Sequence, residues 1–235
     1  MKLLDQVLDF EPMPGPLEAW RASVDEEQLL VFARAVKQAG GRFVSLWGSD
    51  DRDHNHGHSP QCGFTLHVAF GISEGLALLT MALPAENPAY PDLAEIFPAA
   101  SRLQRASFDL LGIRATGGDS RPWLRHANWP VDFFPLRRDT DGSQRFETHD
   151  EEYAFVTVEG EGVHEIAVGP IHAGAIEPCH FRFSIVGEKV LRLEQHLGYV
   201  HKGIERRFQE LPALQGHRLA ARVCGDSAVA FSWAW

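Results

Sequence analysis

Cysteine is scarce in this chain. Its three cysteines, Cys62, Cys179 and Cys224, lie far apart and never form C-x-x-C. That excludes a disulfide framework and any zinc or iron–sulfur site built from cysteine alone, so the three read as reduced thiols. Long apolar runs are also missing. No stretch approaches the roughly 20 residues that a membrane-crossing helix needs, and Leu3, Leu4, Val7 and Leu8 are too few for a signal-peptide core. A cytoplasmic location is the expectation. There is no G-x-S-x-G, no glycine-rich phosphate loop and no dinucleotide fingerprint, so neither nucleophilic hydrolysis nor direct NADH binding has support. Cations are in deficit, with 22 Lys and Arg against 32 Asp and Glu. A net charge of −10 argues against nucleic acid, whose binding depends on neutralising phosphates. No internal repeat is present.

What is present suits a globular protein: 44% of the 235 residues are hydrophobic, enough to bury a real core. The first clear element is a helix. Ser23 and Glu26 have capping-box spacing, Leu29, Phe32, Ala33 and Val36 share one face, and Gly40-Gly41 ends it. Residues 42–47 and 61–70 read as strands, the second alternating Phe64, Leu66, Val68 and Phe70 with Thr65, His67 and Ala69. Residues 76–83 are apolar enough to be buried on both faces. Between the first two strands His54, His56 and His58 stand among carboxylates. This tract is read as a hairpin connection, with adventitious metal binding as the other reading, because a polar loop tip lacks the rigid support of a dedicated site.

Pro98 suits the first turn of a second helix that runs towards Leu111, with Leu103, Leu110 and Leu111 inward. Residues 121–139 carry Trp, Pro and Arg without periodicity, as expected of an extended arm. Such an arm lies either on a partner or back over its own sheet. Residues 140–150 are polar and read as a linker. Beyond them, residues 153–158 and 163–168 flank a glycine-rich turn as a predicted hairpin. Gly169 and Pro170 then make a corner that brings His172, Glu177 and His180 close together, and a second hairpin follows around Gly187-Glu188. Residues 197–205 should pass from extended chain into helix. Between Gly169 and Arg222 there are eight Lys and Arg against five Asp and Glu. That local excess is either a solvated face or a docking surface for an acidic neighbour.

Three segments carry a family resemblance: the G-P-x-H-A-G corner at 169–174, E-P-x-H-F-R-F at 177–183, and H-L-G-Y-V-H-K-G-I-E at 196–205. They resemble the opening of the large subunit of energy-converting nickel–iron hydrogenases of the formate hydrogenlyase and hydrogenase-4 type, which is in turn similar to the D (49 kDa) subunit of respiratory complex I. Upstream, Arg105, Phe108, Asp109 and Gly112, followed by Asp119 and Arg125, resemble the signature of the complex I C (30 kDa) subunit. Gln104 and Ala106 replace two glutamates there. The resemblance covers nearly the whole chain as a fusion of the two types, and the D-type part looks truncated at Trp235.

This likeness implies an α+β fold of two modules. Residues 1–141 would form a C-subunit-like domain of helix plus antiparallel sheet. Residues 151–235 would form the β-hairpin-rich start of a hydrogenase large-subunit-like domain. It further implies a subunit of a membrane-associated oxidoreductase of the NADH dehydrogenase or hydrogenase type, mainly structural, lining the wall of the electron-acceptor or quinone site, and inactive when isolated. The alternative is a regulatory or binding protein that kept the fold without redox chemistry. By the same likeness His172 is the quinone-site candidate, able to donate a hydrogen bond or proton near neutral pH. The other reading has His172 and His180 orienting a tight turn through backbone carbonyls. Arg105, Asp109, Trp123, Arg125 and Trp129 are the implied interface residues. The implied partners are iron–sulfur and membrane subunits, with quinone as a further ligand, and the assembled chain would sit peripherally on the cytoplasmic face of the inner membrane. Laid on the family's R-x-C-G-x-C-x-x-x-H, Arg222, Cys224 and Gly225 match, but Ser227 and Phe231 replace the second cysteine and the histidine. A hydroxyl is a poor substitute for a bridging thiolate. No metal and no cofactor is therefore expected on this chain, with iron–sulfur clusters left to partner subunits.

Overall fold

A computed structural model of the chain describes residues 8–52, 62–148, 153–173 and 176–235, with Cys62 described by its backbone alone. The expected histidine loop at His54, His56 and His58 lies outside the described residues, as do residues 149–152 of the polar stretch. The chain divides into two compact units, one extending through Tyr199 and the other Val200–Trp235.

The first unit is built on a five-stranded sheet. Two short strands, β1 (Glu11–Pro12) and β2 (Ala19–Ser23), lead into helix α1 (Glu26–Gln38), followed by β3 (Arg42–Asp50), β4 (Cys62–Ile72) and β5 (Gly75–Pro84). The order across the sheet is β1-β2-β5-β4-β3. All neighbours are antiparallel except β2 and β5, which run parallel. Alternation makes this sheet one-sided: Phe64, Leu66, Val68 and Phe70 of β4 and Ala77, Leu79, Met81 and Leu83 of β5 are buried. Against them lie Leu29, Phe32, Ala33 and Val36, all fully buried, so the helical stripe read from the sequence is the packed one. The rings of Phe10, Phe32, Phe43, Phe70 and Phe97 form one connected cluster, with centroids 5.3–6.1 Å apart.

The cap of α1 falls two residues later than its sequence spacing indicates. Asp25, not Ser23, accepts from Gln28 N at 2.8 Å, and Asp25 N donates in return to Gln28 Oε1 at 3.0 Å. A carboxylate with a glutamine at the third helical position makes the same reciprocal closure as serine with glutamate.

Helix α2 (Ala100–Leu111) lies between the short parallel strands β6 (Ala89–Pro91) and β7 (Arg114–Thr116). Gln104 replaces a glutamate of the resembled signature, and the structure shows what the amide does. Its Oε1 accepts from Leu93 N at 2.8 Å while its Nε2 donates to Asp92 Oδ1 at 2.6 Å. An ionised carboxylate could make only the first of these bonds. The helix stops at Gly112, whose φ of 77° is left-handed and where a side chain would also collide with Phe134 and Arg137.

Beyond the polar stretch, β8 (Val163–Val168), β9 (His180–Val186) and β10 (Lys189–His196) form an antiparallel sheet in the order β10-β9-β8. Gly187 supplies the expected turn between β9 and β10, with φ of 56°. The first predicted hairpin does not form, because residues 153–158 carry no strand. Their groups are used otherwise: Val156 N donates to Glu194 Oε2 at 2.7 Å, and Tyr153 stacks on His196 with ring centroids 4.1 Å apart.

The second unit comprises three short helices, α3 (Ile204–Glu210), α4 (Gly216–Ala220) and α5 (Ala228–Ala234). Ser227 precedes the last of them as its cap position. Trp235 stacks on Phe208 at 4.6 Å and donates through Nε1 to Ala213 O at 2.6 Å, which closes the unit on itself.

Candidate functional site

The 121–139 arm has no regular structure, so its backbone groups must find partners outside helix or strand. Asp109 of α2 supplies three of them. It is 1% exposed, and its Oδ2 accepts from the N–H of Trp123 and Leu124 at 2.6 Å each and of Arg125 at 3.2 Å. Burial pushes its carboxyl above the ordinary value, while the three N–H groups and Arg125 pull in the opposite direction. One turn earlier, Arg105 works on the carbonyl side. Its Nε donates to Arg121 O and its Nη2 to Pro122 O, each at 2.7 Å, and Nη2 also donates to Tyr153 Oη at 2.9 Å. Arg105 and Asp109, a donor and an acceptor four residues apart on one helix face, thus hold the start of the arm from both polarities.

The arm then folds on itself and returns to the sheet. Arg125 donates to Trp129 O at 3.3 Å and to Phe133 O at 3.2 Å. Phe134 is buried against Phe108, and Arg137 Nε reaches Leu111 O at 2.7 Å. At the far end, Asp50 of β3 accepts from Arg138 N at 2.9 Å and is bridged through Arg52 to Asp139. Burial pushes Asp50 up, but Arg52 and the backbone N–H groups outweigh it and hold it low. Of the five implied interface residues, the structure buries Arg105 and Asp109 beneath the arm and leaves Trp123, Arg125 and Trp129 half-buried along it.

Sequence reasoning did not single out Glu194. It projects from β10 onto the arm, 8% exposed, where it is ion-paired with Arg121, 3.3 Å from Arg192 Nη2, and accepts from Val156 N. Burial pushes its carboxyl up, and these three partners more than reverse the shift, leaving it below its ordinary value. Arg121 is in turn raised, chiefly by Asp119, which it binds through two nitrogens. The only sequence signal was alternation in β9 and β10, which separates a polar from an apolar face without saying which is covered.

The quinone-site candidate lies at the corner before β9. Gly169 has φ of 81°, its bond to Pro170 is cis, and a side chain there would strike Cys179 O. His172 Nε2 donates to that same carbonyl at 2.8 Å, with Cys179 Sγ 3.5 Å from the nitrogen. Because a carbonyl only accepts, Nε2 carries the proton. His180 Nδ1 donates to Gly169 O at 3.2 Å, while its Nε2 is buried without a partner among the described residues. The two imidazoles therefore brace the two ends of the corner. Glu177 is exposed. Ile171 at the tip is 92% exposed, so the corner presents an apolar outer surface over a hydrogen-bonded base.

The donor set does not fit a nickel–iron centre. Cys224 is an exposed thiol at the start of a 3₁₀ turn, and the residues at the expected partner positions are Ser227 and Phe231. Among the described residues no group of three His, Cys, Asp or Glu is arranged to hold a metal ion. No helix among them is long and apolar enough to cross a membrane.

Over 208 residues, 83% of its length, the chain is 30% identical to formate hydrogenlyase subunit 5 of Escherichia coli K12, and covers 35% of that protein. It is 29% identical over 206 residues to hydrogenase-4 component G of the same organism, 84% of this chain and 36% of that one. It is 25% identical over 198 residues to the C/D subunit of the NADH-quinone oxidoreductase of Bacteroides thetaiotaomicron, 75% of this chain and 37% of that one. The chain thus spans about a third of the length of the relatives it matches. The model of the family described as respiratory-chain NADH dehydrogenase, 30 kDa subunit, matches residues 22–146, from β2 through α2 and the clamped arm into the polar stretch, and the chain belongs to that family.

Proposed function

We propose that this chain is a subunit of a membrane-associated oxidoreductase resembling complex I or hydrogenase-4, with a mainly structural role. The observation that carries this reading is the family match over 22–146, because it coincides with the sheet, α2 and the arm that Arg105 and Asp109 clamp. In this reading residues 151–235 correspond to the beginning of a hydrogenase large-subunit-like module. The corner braced by His172 and His180 contributes part of the wall of the electron-acceptor or quinone site. The Nε2–H of His172 already serves Cys179 O, and Nδ1, which has no hydrogen bond among the described residues, is the atom that would accept from a reduced ring hydroxyl. The chain itself holds no nickel, iron or cofactor, and redox metal belongs to iron–sulfur subunits that dock on it. The assembly is peripheral on the cytoplasmic face of the membrane. Arg105 and Asp109 act on the interface indirectly, by fixing the shape of the arm that presents Trp123, Arg125 and Trp129.

The test is purification of the tagged chain from membranes of its own host, with elemental analysis of the product. Iron–sulfur and membrane proteins in fixed ratio, with no nickel assigned to this chain after it is separated from them, are expected. Recovery of the chain alone under gentle extraction would favour a stand-alone binding protein, and stoichiometric nickel on the separated chain would overturn the structural role.

A further inference from the structure

An open cleft of about 700 Å³ lies between the start of α2 and strand β10. Arg102 and Arg105 of α2, Arg121 of the arm and Arg192 of β10 line it, against two carboxylates, Asp119 and Glu194. Two of the guanidinium groups are already used within the molecule. Arg105 serves arm carbonyls, and Arg121 is bound by both carboxylates. The remaining positive charge sits on Arg102 and Arg192. Arg102 is exposed, stacked over the Trp123 ring at 5.0 Å, and has no carboxylate partner among the described residues. Arg192 is 37% exposed and only shares Glu194 with Arg121. Helix α2 adds to the field, since Ala99 offers no side-chain cap and its first turn has no acidic residue. On the opposite wall β10 is the outermost strand of its sheet, paired among the described residues with β9 alone.

We infer that this cleft receives an extended acidic segment of a partner protein, laid along the open edge of β10 with its carboxylates on Arg102 and Arg192. In a chain of net charge −10 an anionic partner must be recognised locally, and these residues are where the charge reverses. The two available guanidinium groups belong to different walls, a spacing that suits carboxylates distributed along a peptide rather than one small ion. Strand addition supplies backbone hydrogen bonds, and guanidinium–carboxylate pairs set register and partner choice. The inference rests on the reading that the chain works within a multi-subunit assembly.

The experiment uses the full chain and fluorescein-labelled hexaglutamate, followed by fluorescence anisotropy, with hexalysine as a control and inorganic phosphate as competitor. Hexaglutamate is expected to bind with an affinity that falls as salt rises. Binding should weaken at least about tenfold in an Arg102→Gln/Arg192→Gln variant whose melting temperature matches the parent, the loss of two charge-assisted contacts. If the double variant does not fold, Arg102→Gln alone carries the test, since that side chain is exposed and among the described residues holds nothing but the ring face. Absence of hexaglutamate binding, unchanged binding in the variants, or displacement by phosphate at concentrations comparable with the peptide would each overturn the proposal. Hexaglutamate binding to a chain that purifies alone would overturn the assembly and leave the cleft standing, and the reverse result would do the opposite.

Discussion

The two larger sheets solve the same packing problem with opposite faces. In the five-stranded sheet the apolar side is inward, and Phe64, Leu66, Phe70 and Leu79 are at most 1% exposed. In the three-stranded sheet the covered side is polar. His180, Ser184, Glu194 and His196 are all buried, whereas Ile166, Val190 and Leu193 on the other side are 46%, 52% and 48% exposed. Pairing places Ile166, Phe183 and Leu193 in one row across that outer face. The first sheet is held by removal of apolar surface from water. The second is held to the arm by ion pairs, ring stacking and hydrogen bonds to charged groups, a surface that works only if each polar atom meets its partner.

Substitutions at three positions probe that contrast, from the largest effect to the smallest. Phe70→Ala removes the centre of the ring cluster and should cost about 3–5 kcal/mol, measured by chemical denaturation. A cost under about 1 kcal/mol would mean that the first sheet is not the stabilising core.

Glu194→Ala leaves Val156 N–H without its acceptor and Arg121 with Asp119 alone, and should cost about 1–3 kcal/mol. This contribution also has a pH signature. The folded carboxyl lies below its ordinary value of 4.5, so the stabilisation is complete above 4.5 and is lost as pH falls through the folded value. Glu194→Gln, which cannot titrate, should therefore differ most from the parent near neutral pH and converge with it in acid. A gap that widens in acid would contradict the assignment.

Ile166→Ser on the outer face should change stability by less than about 0.5 kcal/mol, measured by the same chemical denaturation. A cost like that of Phe70→Ala would show that the outer face is already covered within the chain.

These contrasts also mark what was legible in the sequence. Periodicity located α1 and its buried stripe, β4 and the β9–β10 hairpin, because each buries one face against a single neighbour, whereas β5, read as buried on both faces, buries only alternate residues. Periodicity failed where a longer-range bond outbid it. Residues 153–158 alternate like a strand, yet Val156 N is drawn to Glu194, 38 residues away. The cap of α1 moved from Ser23 to Asp25 because Ser23 lies in β2, where it pairs with Thr80 of β5. The arm shows the same limit. Its tryptophans and prolines announced irregular chain, but nothing local shows that Asp109 collects three of its N–H groups, since the bond spans 14–16 residues and leaves no period. Arg105 and Asp109 were found by resemblance, and their inward role only by geometry.

The order of these anchors along the chain bears on synthesis. Asp50 and Asp109 both precede the arm segments they bind, so when residues 123–125 and 138 leave the ribosome their acceptors are already made and, with β3 and α2, positioned to take them. Domains fold from the N-terminus as they emerge, and closing a loop costs little more as it lengthens. Glu194 inverts that order. It comes after Arg121 and Val156, and the arginine must wait for β10, its charge shared only with Asp119 until the last strand of the sheet appears. A nascent chain halted before β10 would have its arm closed on α2 and on the first sheet, with the seat for the second sheet still unfilled.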